Sequence, residues 1–107
     1  MIQIQTFTFN SFQENTYVLF DDTKECIIVD PGCYDNHEQE TLNNFVNENK
    51  LKPVLLINTH CHVDHVLGNR FVADKWMLDL AIHELDVPTL KSVKDYCTVY
   101  GFHNYQE

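Results

Sequence analysis

The sequence predicts an α/β domain whose sheet is antiparallel at the start and built from βα units afterwards. Three observations carry this. Near the N-terminus Ile2 and Ile4 alternate with Gln3 and Gln5, the period of a strand. Further on, Leu42, Phe45 and Val46 form a stripe at helical spacing behind a capping pattern. The stretch Pro53 to Ile57 is then wholly apolar, as expected of a short strand covered on both faces.

Taken in order, Ile2 and Ile4 mark a half-buried first strand. The apolar phase then slips to Phe7 and Phe9, alternating with Thr6 and Thr8, which predicts a bulge or a turn near Thr6. Thr16 to Phe20 and Cys26 to Val29 read as two more strands, joined by the turn-prone Asp21-Asp22-Thr23-Lys24. Asp30-Pro31-Gly32 stops the third strand. Asp35 offers an N-cap with Glu38 three residues on, and the helix behind it ends near Lys50. After Pro53 to Ile57, Asn69 can cap a short helix through Trp76, and Asp79 to Ile82 reads as a further strand. Pro88 suits a helix start, with Leu90, Val93, Cys97 and Tyr100 on one face and Gly101 in the place of a C-terminal glycine cap. No repeat, linker or low-complexity tract interrupts this order, so one domain spans residues 1–107.

Composition narrows the function. A chain of 107 residues with 44% hydrophobic residues buries roughly two thirds of its unfolded surface. Its charge is −9, from 16 acids and 7 bases with no basic cluster, which makes nucleic acid and anionic membranes poor partners. A small-molecule substrate fits better, and a bound cation could reverse the local potential for an anionic one. No segment approaches the ~20 apolar residues of a membrane span, and the N-terminus lacks a charged-then-apolar leader pattern. Cys26, Cys33, Cys61 and Cys97 show no paired spacing, which reads as reduced thiols in a cytoplasmic protein.

The chemistry sits in one run, His60-Cys61-His62-Val63-Asp64-His65, directly after the apolar strand. It therefore leaves the carboxyl end of that strand, where open α/β sheets place their sites. In extended backbone His60 and His62 point the same way and can reach one ion together. A turn after Val63 would aim Asp64 and His65 at a second point. Neutral imidazole suits zinc, iron and similar ions, and a carboxylate adds charge compensation. Two pairs aimed at two points suggest a dinuclear centre. Cys61, between the two histidines, points away from them and is read as packing.

The run resembles the signature of the metallo-β-lactamase fold superfamily, His-x-His-x-Asp-His after a buried strand, with Thr59 before it and Gly68 after it. Asn15-Thr16-Tyr17-Val18-Leu19 is similar to the second strand of its glyoxalase II-like (hydroxyacylglutathione hydrolase-like) branch, and Ile28-Val29-Asp30-Pro31-Gly32 to its first motif. The resemblance implies an αβ/βα sandwich of which this chain represents about the N-terminal half. It also implies a hydrolase using metal-bound hydroxide on a thioester, lactone or similar ester-type substrate. By it, His60 and His62 hold one metal, Asp64 and His65 the second, and Asp64 orients or takes a proton from the attacking water. The aspartate matching Asp30 would orient the loop that carries the ligands. Zinc is the expected ion, one or two per chain, with iron or manganese also fitting.

The family completes its site with further ligands from the second half of the fold. His103 lacks the Gly-His-x-x-Gly context of the third ligand and is read as polar surface, His83 beside Glu84 is read as a loop hydrogen-bonder, and His37 falls in the first turn of the predicted helix. Three explanations stay open: a fragment of a normal hydrolase, a chain completed by a second copy or another protein across its exposed sheet edge, or a non-catalytic metal-binding remnant. Trp76 and Phe71 are read as the inner face of a short helix, and Glu38, Glu40 and Glu48 as a solvated helix face.

Overall fold

A computed structural model describes residues 1–106. The strands are β1 (Gln3–Phe9), β2 (Glu14–Phe20), β3 (Glu25–Val29), β4 (Lys52–Ile57) and β5 (Leu80–Ala81), and they lie in that order in one sheet. The first three run antiparallel, and β4 and β5 then continue parallel to β3. Helix α1 (Asn36–Glu48) links β3 to β4, while α2 (Val63–Val66) and α3 (Asn69–Trp76) link β4 to β5. Helix α4 (Val87–Tyr96) follows, with Pro88 in its first turn and a 3-10 turn to Tyr100 before Gly101 at φ 89°. Among the described residues no helix is long and apolar enough to cross a membrane. The predicted α/β order, with its antiparallel opening, is the observed one.

The two faces of the sheet differ. One row across the strands, Val18, Ile28 and Leu56, is wholly buried under α1 and α3, where Leu42, Val46 and Val72 complete a single apolar cluster. Directly opposed residues share a face, so the neighbouring row Ile4, Leu19, Ile27 and Leu55 lies on the other side. That row belongs to neither apolar cluster of the fold, and Ile4 is 62% exposed. Apolar residues therefore stand on both faces while helices cover one.

Two expectations are corrected by this. The slip in the N-terminal pattern is neither bulge nor turn, because β1 pairs with β2 without interruption from Gln3 opposite Phe20 to Phe9 opposite Glu14. Phe7 and Phe9 face the helices, and Ile4 faces the open side. The irregularity lies instead between Cys26 and Ile27, where β4 carries an extra residue. Nor is β4 covered on both faces, since Val54 and Leu55 are exposed.

Local signals set the helix starts. Asp35 caps α1 by accepting from the Glu38 backbone N–H at 2.8 Å. Glu38 is not a solvated residue, in contrast to Glu40 and Glu48: its carboxylate accepts from the backbone N–H groups of Tyr34 and Asn10 at 2.9 and 2.6 Å. Asn69 does not cap α3 but is its first residue, and its amide pairs reciprocally with that of Asn58 at 2.7 and 3.1 Å. Phe71 and Trp76 stack edge to face and pack on the main cluster as predicted.

A pair of truncations tests this assignment of faces. Leu56→Ala, on the helix side, should cost about 2–5 kcal/mol in urea denaturation of the monomer. Leu55→Ala, next to it on the open side, should stay within about 0.5 kcal/mol. Equal losses would mean that both faces are covered.

Candidate metal centre

β4 ends at Ile57, and the chain crosses the top of the sheet through Asn58 and Thr59 into the histidine run. His62 is the extended residue before α2, so Asp64 and His65 fall within that one-turn helix. A helix of four residues is not stable alone, and here tertiary contacts hold it. Val63 and Val66 bury against Val93 and Cys97 of α4 and its following turn. Asn10, in the turn between β1 and β2, donates its amide to the Asp64 and Gly32 carbonyls at 2.9 and 3.0 Å. Asn58 donates to the His65 carbonyl at 3.4 Å.

These supports bring the four predicted residues into one line of contact. The rings of His60 and His62 lie 4.8 Å apart, those of His60 and His65 only 3.9 Å apart. His65 Nε2 then lies 3.4 Å from Asp64 Oδ2. His60 thus stands between the other two imidazoles, closer to His65 than to His62. Among the described residues the group that could share one ion is Asp30, His60 and His65, whose ligating atoms all lie within 4.8 Å of one another; His62 and Asp64 fall outside it.

Asp30 ends β3 with its backbone in the left-handed region at φ 53°, and it is buried. Its carboxylate accepts from the Thr59 backbone N–H at 2.7 Å, from the Thr59 hydroxyl, and from His65 Nδ1 at 3.2 Å. The Thr59 hydroxyl has one hydrogen, which goes to Asp30, so it accepts from His60 Nδ1 at 3.1 Å. Both rings thus have a partner at Nδ1, and His65 turns its Nε2 towards Asp64. Asp30 thus touches His65 directly and His60 through Thr59.

The electrostatics suit a cation. Burial first, then the neighbouring His65 and His62, hold the His60 imidazole below its ordinary 6.5, so it stays neutral and able to ligate. Cys61 is buried and its thiol is pushed up to about 11, mainly by burial, which fits the packing role predicted for it. His83 caps a 3-10 turn by accepting from the Leu85 backbone at 3.1 Å, while His37 and His103 are exposed. All four cysteines are free and buried. A residue the sequence reading missed, Glu14, is buried beside His65, with Oε1 3.4 Å from Nδ1. Nothing local betrays it: one acid at a strand start looks like surface. An open cleft of about 340 Å³ lined by Phe12, His62, Asp64, Tyr96 and Tyr100 adjoins the run. A similar cleft of about 350 Å³ near α3 and β5 holds none of the four residues.

Burial, reinforced by Asp30, Asp64 and Glu38, raises the Glu14 carboxyl from 4.5 to about 8. The folded chain then holds this proton more tightly than the unfolded chain does. The contribution to stability is complete below about pH 4.5 and is lost as pH rises towards 8. In the metal-free protein, urea denaturation between about pH 5 and 8 should show this decline, and Glu14→Gln should flatten it. Parallel curves for the two proteins would contradict a buried, ionisation-resistant Glu14.

Comparison with known proteins agrees with this geometry. Residues 10–98 match the model of the metallo-beta-lactamase superfamily. The chain is 35% identical to a hydroxyacylglutathione hydrolase, GloC, of Haemophilus influenzae, over 96% of its own length and 47% of that protein's. It is 33% identical to the probable metallo-hydrolase YqgX of Bacillus subtilis, over 67% of its own length and 32% of that protein's. Among solved structures, TTHA1623 in a di-iron-bound form superposes with a TM-score of 0.77 at 26% identity, covering 92% of this chain and 47% of the other. The B3 metallo-beta-lactamase BLEG-1 gives 0.75 at 26% identity, covering 86% and 45%. The chain thus spans less than half the length of each of these proteins and corresponds to their N-terminal half. Matched over most of its own length, it belongs to the metallo-beta-lactamase superfamily.

Proposed function

We propose that this chain carries half of the active site of a metal-dependent hydrolase acting on a thioester, lactone or similar small ester-type substrate. The observation that carries the reading is the unbroken contact His62–His60–His65–Asp64 above the buried Asp30. Zinc is the ion proposed, and iron or manganese would find the same nitrogen and oxygen donors. His60, His62, Asp64 and His65 would hold it. When bound, such a cation supplies Lewis acidity, polarising a substrate carbonyl and acidifying water.

The chain's own residues do the rest. Asp30 fixes the imidazoles through Thr59 and directly, so the donors are oriented before any ion arrives. Asp64, partly exposed on the cleft, has an Oδ2 able to accept a proton from an attacking water. Phe12, Tyr96 and Tyr100 form an aromatic wall beside His62 against which an apolar part of the substrate can lie. Free buried thiols and the acidic composition support a cytoplasmic setting and a small-molecule substrate.

A second reading has its own support. Among the described residues the apolar row Ile4, Leu19, Ile27 and Leu55 joins neither apolar cluster, which favours a chain that binds metal and associates with a copy of itself without turnover.

Two measurements test these readings. Metal analysis after dialysis against zinc should give one to two ions per chain, and His60→Ala combined with His65→Ala should weaken binding by at least ~10–100-fold. Failure to retain zinc would end the metal-centre reading. Light scattering on the isolated 107 residues should find oligomers that Leu55→Lys shifts towards monomer, with little thioester hydrolysis in either form. Steady zinc-dependent hydrolysis by a monomer would show that this half suffices alone.

A further inference from the structure

Glu14 is the buried acid that the reading above leaves without work. It opens β2, opposite Phe9, and its side chain is fully shielded from solvent. Oε2 lies 3.0 Å from the Thr16 hydroxyl, which itself donates to the Asp30 carbonyl at 2.8 Å and accepts from the Gly32 backbone N–H at 3.0 Å. Oε2 is also pressed on Gly32, where an added Cβ would come within 2.2 Å of it. A glycine at position 32 thus makes room for this carboxyl.

The other oxygen, Oε1, is buried and has no hydrogen-bond partner among the described residues, an arrangement native proteins rarely leave unused. It lies 3.4 Å from His65 Nδ1. Asp30 Oδ2 lies 3.2 Å from the same nitrogen but already accepts from the Thr59 hydroxyl. His65 Nδ1–H is thus caught between two carboxyl oxygens, one shared and one unclaimed. A small ring rotation towards Oε1 would satisfy it and keep Nε2 directed at Asp64.

We propose that Glu14 is a positioning residue for His65, its Oε1 receiving the Nδ1–H and so fixing the tautomer and plane that present Nε2 to a metal ion. The proposal rests on His65 being a ligand, as argued above. Asp30 meets the same Nδ1 and also holds the loop through Thr59, whereas Glu14 acts on this ring alone, as the second and otherwise unpartnered acceptor. Partners of this kind behind metal-bound imidazoles commonly change affinity by ~10–100-fold.

The test uses the 107-residue chain and three variants, Glu14→Gln, Glu14→Met and Glu14→Asp. Gln keeps an acceptor at the Oε1 position, Met removes it, and Asp withdraws it by one methylene. In the metal-free protein, nitrogen-15 NMR of the imidazoles should show His65 protonated at Nδ1 in wild type and E14Q. The tautomers should mix in E14M and E14D. Cobalt(II) titration should then show E14M about 10–100-fold weaker with an altered visible absorption spectrum, and E14Q within a few-fold of wild type. Should E14M fail to fold, E14D carries the same expectation. Unchanged tautomer in both E14M and E14D overturns the proposal. Retention of the Glu14-dependent tautomer in a wild-type chain that binds no cobalt would uphold the Glu14–His65 coupling and overturn instead the ligand role of His65.

Discussion

The site depends on one carboxylate that reaches from the end of β3 to the loop leaving β4. These strands are parallel neighbours, and Asp30 extends their ladder by one bond, donating its backbone N–H to the Ile57 carbonyl at 2.8 Å. The backbone then turns at φ 53°, a conformation Asp tolerates better than most residues. The turn throws the carboxylate across to Thr59 and His65. Its two oxygens collect two donors from Thr59 and one from His65, and through the Thr59 hydroxyl they also orient His60. Hydrogen bonds to a buried acceptor, out of contact with water, are electrostatically stronger than the same bonds in solvent. One buried residue therefore sets two imidazoles from two directions.

That arrangement needs a rigid floor, which the sheet provides. The helix-facing row Val18, Ile28 and Leu56 is packed without exposure, so the ends of β2, β3 and β4 cannot shift independently. The ligand-bearing turn is fastened to that floor by parts far apart in sequence: Asn10 from the β1–β2 turn, Asn58 from the end of β4, and Val93 from α4. Gly68 completes the fastening, since its N–H donates to the Pro31 carbonyl at 2.7 Å and an added Cβ would meet the Cys33 sulfur at 2.4 Å. The loops after β3 and β4 are locked together there by a contact that only glycine permits.

What could be read from the sequence was whatever is decided locally. The Asp35 cap, the Pro88 helix start, the glycine at 101 and the ligand run after an apolar strand are all short-range patterns, and the chain adopts them. The phase of β1 was misread because both faces of the sheet carry apolar residues, so alternation alone could not say whether Ile4 or Phe7 faces the helices. Glu38 was misread because its partners, Asn10 and Tyr34, act on it through backbone N–H groups that no side-chain pattern reveals. Glu14 was invisible for the same reason at longer range: its environment is made by Thr16, Gly32 and His65, which meet only in the fold.

The charges at this end of the sheet explain why the arrangement calls for a cation. Glu14 is kept protonated by burial and by Asp30, Asp64 and Glu38 around it, and His60 is kept neutral by burial and by His65 and His62. His60 does not relieve the acids by taking up a proton, because burial and the rings of His65 and His62, 3.9 and 4.8 Å away, hold its pKa below the ordinary value. A divalent ion among the rings meets both demands: it takes the lone pairs of neutral imidazoles and offsets the carboxylates in one compact charge. The surrounding chain acts in the same sense, since a net −9 attracts cations and turns polyanions away. That acidity favours a metal ion, and the oriented imidazoles determine where it would stop.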